Sequence, residues 1–305
     1  MSLENNVRSL RTVRLNQQDS YFNVALDEAL LELIKEGRIP PTIVFTEWTP
    51  TISVGFSQDV KKDVDLEALR KHNATLVRRV SGGQAVYLDE GYIVFSIIAP
   101  RDYFPRDLNE LRKYVCEAMA ETLKENNIPA EFYPPDNIIL RCGKNIMTIG
   151  NSGQRITEEA VAVHGSIRYD LLNFEKMLDM LMINGNKLNQ YQEAIKQHLG
   201  YVKMFSNIPK EELKDRLLSN LLKMFNAVPF NRSLRPRTDY AKIMELTISK
   251  YRKEVWLLNA VSQPVSRGVC YFYLNGECIV PEIAHFLPNN KPSGLIEATI
   301  EVSNV

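Results

Sequence analysis

A ten-residue segment at residues 78–87, RRVSGGQAVY, constrains this chain more than any other feature of its sequence. Two arginines and a serine precede a glycine pair, and a strand-like run follows. Glycine has no Cβ atom and tolerates positive φ, so the backbone at Gly82 and Gly83 can approach a ligand closely. Amides of such a turn, with cationic side chains beside them, favour an anion. The segment therefore predicts a strand, a ligand-binding turn and a second strand.

The composition is that of a soluble globular protein. The chain has 305 residues, 45% of them hydrophobic and 24% charged, which allows one large domain or a domain with an appendage. Lys+Arg and Asp+Glu both number 37, so no global field favours nucleic acid or an anionic membrane. The sequence shows neither a signal peptide nor an apolar run of about 18 residues. We therefore expect a cytoplasmic protein that binds neither nucleic acid nor membrane.

The cysteines predict neither a metal site nor a disulfide framework. None of the four forms a CxxC pair. They are Cys116, Cys142, Cys270 and Cys278.

Hydrophobic periodicity predicts an α+β fold, with mixed β-sheets flanked by helices. Asp19 or Ser20 can cap a first helix, and Asp107 with Glu110 forms a capping box for another. Further helices are predicted at residues 65–71, 174–181, 187–198, 210–225 and 240–251. Strands are predicted at residues 42–45, 52–56, 75–80, 85–88, 92–98, 131–140, 145–149 and 161–169. A hairpin around Asn275-Gly276 and a strand at 295–302 suggest a small β-rich extension.

Residues 78–91, RRVSGGQAVYLDEG, resemble the RRxSGGGAVYHDxG signature of lipoate–protein ligases. That superfamily also contains biotin ligases and octanoyltransferases. An NVALDEA element at residues 23–29 and an HGS element at 164–166 add to the resemblance, which covers roughly residues 10–256. It implies a ligase-like catalytic domain at residues 1–256 and a short extension at 257–305.

The resemblance implies ATP-dependent attachment of lipoate to a lysine of a carrier domain, through lipoyl-AMP. ATP with its Mg²⁺ and lipoate would be the substrates. The expected partners are lipoyl-accepting domains of oxoacid dehydrogenase or glycine cleavage complexes. A separate accessory protein is expected to complete the short extension.

By the same resemblance, Lys144 is the expected catalytic residue, and no resident metal is expected. The residues expected to bind substrate or nucleotide are Arg78, Arg79, Ser81, Gly82, Gly83, Ala85, Asp89, His164 and Gly165. Because strand side chains alternate, one of the two arginines should point away from the site. His164 fits a structural role as well as a functional one, and Asp27 with Glu28 fits a solvated helix face.

The chain departs from the signature at the expected site. Gln84 replaces the third glycine, and Leu88 and Tyr92 replace polar residues. The lysine register is ambiguous between Lys144 and Asn145, and a shift of one residue reverses the face of a strand side chain. Two alternatives therefore stay open. One is an ATP-independent octanoyl or lipoyl transferase between carrier proteins, with Cys142 as the nearest thiol, and the other is a non-catalytic homologue.

Overall fold

A mixed eight-stranded sheet organises the chain in the computed structural model, which describes residues 7–16, 19–143, 145–258, 273–274 and 277–282. Its strand order is β13-β1-β2-β6-β10-β9-β8-β7. The strands of this sheet are β1 (Arg8–Leu15), β2 (Thr42–Thr46), β6 (Tyr92–Pro100), β7 (Ala130–Tyr133), β8 (Asn137–Cys142), β9 (Asn145–Ile156), β10 (Ala160–Arg168) and β13 (Ala227–Asn231). β1 runs parallel to β2 and β13, and the other pairings are antiparallel.

A three-stranded sheet of order β4-β3-β5 carries the glycine segment. It consists of β3 (Thr51–Val54), β4 (Thr75–Arg78) and β5 (Val86–Leu88). Two short strands, β11 (Met182–Ile183) and β12 (Asn186–Lys187), form a separate hairpin. Helices and mixed sheets together confirm the predicted α+β fold.

In the sequence, the helices lie between these strands or follow them. They are α1 (Ser20–Lys35), α2 (Val60–Asp63), α3 (Leu66–Lys71), α4 (Leu108–Lys124), α5 (Phe174–Met180), α6 (Gln192–Lys196), α7 (Lys210–Met224), α8 (Ala241–Leu246) and α9 (Glu254–Leu258). Wider helical turns, Pro236–Tyr240 and Thr247–Tyr251, extend α8 at both ends. Short 3₁₀ turns occur at Arg101–Tyr103, Asn189–Tyr191 and Val202–Met204. No helix in the described ranges is long and apolar enough to cross a membrane.

The side chains that are predicted to cap two of the helices make the expected hydrogen bonds. Asp19 caps α1, and its Oδ1 accepts hydrogen bonds from the amides of Tyr21 (3.0 Å) and Phe22 (3.4 Å). Asp107 Oδ1 accepts from the amide of Glu110 at 3.0 Å, ahead of the apolar face of α4. These carboxylates satisfy amides that a helix leaves unpaired at its start.

The large sheet has one hydrophobic core on each face, and alternation along β10 decides which residues enter which core. Ala162 belongs to the core that contains α1, and Val163 belongs to the core that contains α4 and α7. Because the side-chain period of a strand is two residues, His164 faces α1 and Gly165 faces α4. This alternation positions the site described below.

Three predicted elements differ from those observed. The strand predicted at residues 145–149 continues as β9 to Ile156, and Gly150 within it admits an atom of β10 at close range. A Cβ on Gly150 would lie 2.6 Å from the carbonyl oxygen of Ser166. The helix predicted at 187–198 is reduced to α6, and the strand predicted at 131–140 is split into β7 and β8.

The C-terminal segment is described only in part. β14 (Tyr273–Leu274) pairs antiparallel with β15 (Glu277–Cys278) in the register that a two-residue turn requires. The turn itself and the strand predicted at 295–302 lie outside the described residues, as does Lys144. The domain division at residues 256/257 stays a prediction.

A buried ion pair fastens β1 to the helical stretch at Pro236–Tyr240. Arg11 and Asp239 are both fully buried, and Arg11 Nη1 donates to Asp239 Oδ2. Arg11 Nε donates to Thr42 Oγ1 at 3.0 Å, and the amide of Arg235 donates to Asp239 Oδ2 at 3.0 Å. These bonds offset part of the cost of removing both charges from water, although Arg11 Nη2 is buried without a hydrogen-bond partner among the described residues.

We expect Asp239→Ala to lower the free energy of unfolding by about 3–5 kcal/mol, because the guanidinium of Arg11 would stay buried without its counter-ion. Urea denaturation measures this change. The matched control is Lys113→Ala, which removes one member of an exposed ion pair with Glu117 and should change stability by less than about 0.5 kcal/mol. Equal losses in the two variants would contradict this account.

Candidate functional site

Arg78 holds the glycine segment against two other parts of the chain. Its side chain is fully buried, and its three nitrogen atoms donate to backbone carbonyl oxygens at 2.9–3.2 Å. The acceptors belong to Gly55, Phe56, Gln58, Trp256 and Leu257. In return, Trp256 Nε1 donates to the carbonyl oxygen of Arg78 at 2.9 Å. The sequence suggested an anion-binding arginine, whereas the geometry gives Arg78 a structural role.

The side chain of Arg79 forms hydrogen bonds inside the glycine turn. Its Nη2 donates to the carbonyl oxygens of Gly82 (2.9 Å) and Gln84 (2.7 Å), and its Nη1 donates to that of Ser53 (2.7 Å). Gly83 adopts a φ of +94°, the left-handed region predicted for this pair. Arg79 therefore fixes which way the peptide groups of the turn point.

Three side chains from distant parts of the sequence form a hydrogen-bonded chain beside this turn. His164 Nδ1 lies 3.1 Å from Asp27 Oδ2, and His164 Nε2 lies 3.3 Å from Ser81 Oγ. Ser81 is 2% exposed, whereas the side chains of His164 and Asp27 are 24% and 17% exposed. The order carboxylate, imidazole, hydroxyl is the one that prepares an imidazole to accept a proton.

Each member of this chain is held by a different element. Asp27 lies on α1, His164 on β10, and Ser81 directly after β4. Gly153 on β9 makes room for the ring, because a Cβ there would lie 2.5 Å from His164 Nε2. Sequence reasoning placed Asp27 on a solvated face and missed this contact. Its helical spacing gives no sign that β10 packs alongside.

Asp27 Oδ1 is buried and has no hydrogen-bond partner within the described part of the chain. The neighbouring Glu28 is tied instead to the C-terminal helical stretch, since it accepts from Lys250 Nζ (2.8 Å) and Tyr251 Oη (2.7 Å). An unsatisfied buried carboxylate oxygen is costly, so its persistence at this point marks Asp27 as a functional candidate.

Three other expected site residues lie in packed surroundings. Gly165 faces the α4 core, where a Cβ would lie 2.6 Å from the Phe95 ring. Ala85 is fully buried. Asp89 is 1% exposed, and its carboxylate accepts from Tyr87 Oη, the amide of Gly91 and Asn173 Nδ2. These bonds engage both carboxylate oxygens of Asp89, and its expected part in binding substrate or nucleotide stays a prediction. Within the described residues no group of three or more His, Cys, Asp or Glu could hold a metal.

The cysteines whose side chains are described lie away from His164. Cys142 is exposed and pairs with Asn145 at the far end of the β8–β9 hairpin, whereas Gly153 pairs with His164. At roughly 3.3 Å per residue, the two ends of this stretch of β9 are about 25 Å apart. Cys116 is fully buried in the α4 core, 3.2 Å from Ser152 Oγ, and burial raises its thiol pKa to about 12.

One carboxyl group near the turn has a strongly shifted pKa. Burial raises the pKa of Asp136 to about 6, against the opposing effects of Arg112 and Arg79. Asn137 Nδ2 donates to Asp136 Oδ1 at 3.2 Å, and the amide of Ser152 donates to the carbonyl oxygen of Asp136 at 2.9 Å. A polar cluster therefore adjoins the turn on the side of β8 and β9.

The family model of the lipoyl protein ligase A/B catalytic domain matches residues 19–222, two thirds of the chain. The chain belongs to this family. The family comprises enzymes that act on lipoyl or octanoyl groups, which confirms the resemblance read from residues 78–91. All the members of the Asp27–His164–Ser81 chain fall inside the matched region.

Curated relatives carry the name octanoyltransferase LipM. The protein from Geobacillus kaustophilus is 28% identical over 262 residues, covering 77% of this chain and 92% of its own length. That from Lysinibacillus sphaericus is 32% identical over 211 residues, covering 66% and 71%. The ATP-dependent ligation implied by the sequence resemblance is therefore wrong as the main prediction, because these relatives are named as transferases and not as ligases.

Solved structures of lipoate ligases share the fold. The bipartite lipoate protein ligase of Thermoplasma acidophilum, analysed with its E2 lipoyl domain, superposes with a TM-score of 0.75 at 18% identity, covering 85% of this chain and 99% of that one. A lipoate-protein ligase A bound with ATP gives a TM-score of 0.68 at 20% identity, covering 83% and 100%. At such identities the likeness concerns the fold alone.

The two described cysteines should differ sharply in reactivity. At about pH 8, we expect iodoacetamide to label Cys142 and to leave Cys116 unmodified, because only the thiolate reacts and burial keeps Cys116 protonated. Peptide mass mapping of the folded protein measures both sites separately. Labelling of both sites in denaturant is the control. Equal labelling in the folded protein would show that Cys116 is accessible.

Proposed function

We propose that this protein transfers an octanoyl group, without ATP, from the thioester of one carrier protein to a lysine of a lipoyl-accepting domain. The observation that carries the proposal is the imidazole of His164, held by Asp27 at the glycine turn. The octanoyltransferase names of the relatives support the same chemistry. Acceptors would be the lipoyl domains of oxoacid dehydrogenase or glycine cleavage complexes.

The chemistry of a thioester explains why such a site needs a general base more than it needs cationic groups that bind a phosphate. A thioester is already activated, so no phosphate has to be bound or displaced. The acceptor lysine must lose a proton as its nitrogen attacks the carbonyl carbon, and the leaving thiolate must gain one. A single imidazole with an oriented tautomer can perform both transfers.

The geometry fits His164 for this task. A carboxylate can only accept hydrogen bonds, so Asp27 fixes the proton of the ring on Nδ1 and leaves Nε2 free to accept one. Nε2 faces the glycine turn, where Gly82 and Gly83 are exposed. Asp27 is a positioning residue, and it also stabilises the imidazolium that forms during proton transfer.

The test is a transfer assay with an acyl carrier protein loaded with octanoate through its pantetheine thiol and a lipoyl domain as acceptor. We expect octanoylated lipoyl domain without ATP, and no product from free octanoate, or free lipoate, with ATP and Mg²⁺. His164→Ala should lower kcat by roughly a hundredfold or more, because the proton acceptor is lost. Asp27→Asn should also shift the pH profile of kcat, which a merely structural substitution would not do.

The matched control is His72→Ala. His72 Nε2 forms a similar hydrogen bond with Asp179, at 2.8 Å, but between α3 and α5. Transfer by this variant should equal that of the wild type. ATP-dependent product from free acid, or full activity of His164→Ala, would overturn the proposal.

A further inference from the structure

We infer that Trp256 is a positioning residue for the proposed transfer. Its indole group fixes the backbone of the glycine turn, and the stretch that carries it joins this turn to the helix that carries Asp27. The inference rests on the proposed function. It concerns residues 247–258, the C-terminal helical stretch, which lies beyond the end of the family match at residue 222.

Trp256 holds the peptide group at which β4 enters the glycine turn. Its Nε1 donates to the carbonyl oxygen of Arg78 at 2.9 Å. The amide of the same peptide group belongs to Arg79, and it donates to the carbonyl oxygen of Val54 at 3.0 Å. Because a peptide group is planar, these two bonds fix its orientation. The side chain of Arg79 starts from this fixed point and holds the carbonyl oxygens of the turn.

The indole ring also packs against the residue that holds the backbone of Ser81. The ring centroids of Trp256 and Phe56 are 5.9 Å apart, and the amide of Phe56 donates to the carbonyl oxygen of Ser81 at 3.0 Å. Trp256 therefore acts on the turn at two places, directly at Arg78 and through Phe56 at Ser81. The first contact needs the N–H group of the indole, whereas the second needs only an aromatic ring.

The same stretch is tied to α1. Lys250 Nζ donates to both carboxylate oxygens of Glu28 at 2.8 Å, and Tyr251 Oη donates to one of them at 2.7 Å. Lys250 Nζ also lies 4.1 Å from the centroid of the Trp256 ring, and the rings of Tyr251 and Trp256 meet edge to face. Glu28 is the neighbour of Asp27 on α1. One short stretch therefore connects the carboxylate partner of the imidazole with the glycine turn.

This connection sets the separation between His164 and the turn, on which proton transfer depends. A general base must lie within hydrogen-bond reach of the proton that it removes. A displacement of about 1 Å can lower a rate by about a hundredfold. Loss of the Trp256 N–H group should let the entry of the turn shift, while the imidazole and its carboxylate partner stay in place. The effect should therefore appear in kcat and in the backbone of the turn, and not in the binding of the carriers.

Trp256→Phe is the test, because it keeps an aromatic ring beside Phe56 and removes the donor to Arg78. In the transfer assay with octanoyl-loaded acyl carrier protein and a lipoyl domain, we expect kcat to fall by about tenfold or more. KM for either carrier should change by less than about twofold, because no uniform binding contact is removed. The midpoint of the pH profile of kcat should equal that of the wild type, because Asp27 and His164 are intact. A substitution that merely loosened the fold would not give this combination.

Hydrogen–deuterium exchange of the full-length protein reports on the hydrogen bonds around the turn without any substrate. Trp256→Phe should speed exchange in the peptides that contain the amides of Arg79 and Phe56, which hold the two ends of the turn. Exchange in α4 should be unchanged. Thermal denaturation shows whether the variant is folded at the temperature of the assay.

Lys250→Met is a second variant, and it decides the matter if Trp256→Phe does not fold. It removes the bonds of Lys250 to Glu28 and keeps an unbranched side chain beside the indole ring. It should also lower kcat and leave KM for both carriers unchanged.

The matched control is Arg252→Ala. Arg252 lies in the same stretch, but its side chain is exposed and contacts Asp19 and the ring of Tyr21 at the start of α1. An exposed ion pair contributes little to the fold. This variant should therefore match the wild type in kcat, in KM and in exchange.

The outcomes separate the two proposals. An unchanged kcat in folded Trp256→Phe, or a raised KM with an unchanged kcat, overturns the positioning role and leaves the octanoyltransferase function intact. Wild-type protein that gives no octanoylated lipoyl domain overturns the proposed function. In that case exchange still decides whether Trp256 holds the turn, since faster exchange confined to the peptides around the turn supports it and unchanged exchange overturns it.

Discussion

The site depends on the buried guanidinium of Arg78. A cation removed from water costs several kcal/mol unless its donors are satisfied, and here backbone carbonyls satisfy them. Those carbonyls come from the loop after β3 and from α9, so a single charge joins three segments around the turn. The turn cannot move away from His164 without breaking these bonds. Its geometry is therefore set before any substrate arrives, which is the condition for electrostatic stabilisation of a transition state.

A second constraint is the two-residue period of β10. By the family resemblance, His164 and Gly165 are both expected to bind substrate or nucleotide. Adjacent strand residues, however, face opposite sides of a sheet. His164 meets α1 and the glycine turn, whereas Gly165 admits the Phe95 ring into the other core. Of two neighbouring expected site residues, one therefore lies beside the glycine turn and the other provides space for packing.

Much of the fold could be predicted from the sequence because the signals were local. Caps at Asp19 and Asp107 and the apolar faces behind them identified α1 and α4. β1 and β13 were missed because they pair in parallel with each other across most of the chain, and no local pattern encodes that pairing.

The site could be predicted less well than the fold, because it depends on contacts between segments that are distant in the sequence. Ser81 and His164 were singled out by motif, but Asp27 reads as one more charged position on a helix. Only the packing of α1 against β10 brings its carboxylate to the imidazole. Conversely, Arg78 looked functional by charge and turned out to be surrounded by carbonyl oxygens.

The orientation of the two arginines bears on the kind of reaction that the fold supports here. Formation of an acyl adenylate needs cations directed at a phosphate. In this chain Arg78 donates to backbone carbonyls, and Arg79 donates to the carbonyls of the turn itself. The proposed transfer starts from a thioester, which needs a general base and a rigid turn and needs no cations that bind a phosphate. The imidazole of His164, held by Asp27, and the arginines that fix the peptide groups of the turn are consistent with that proposal.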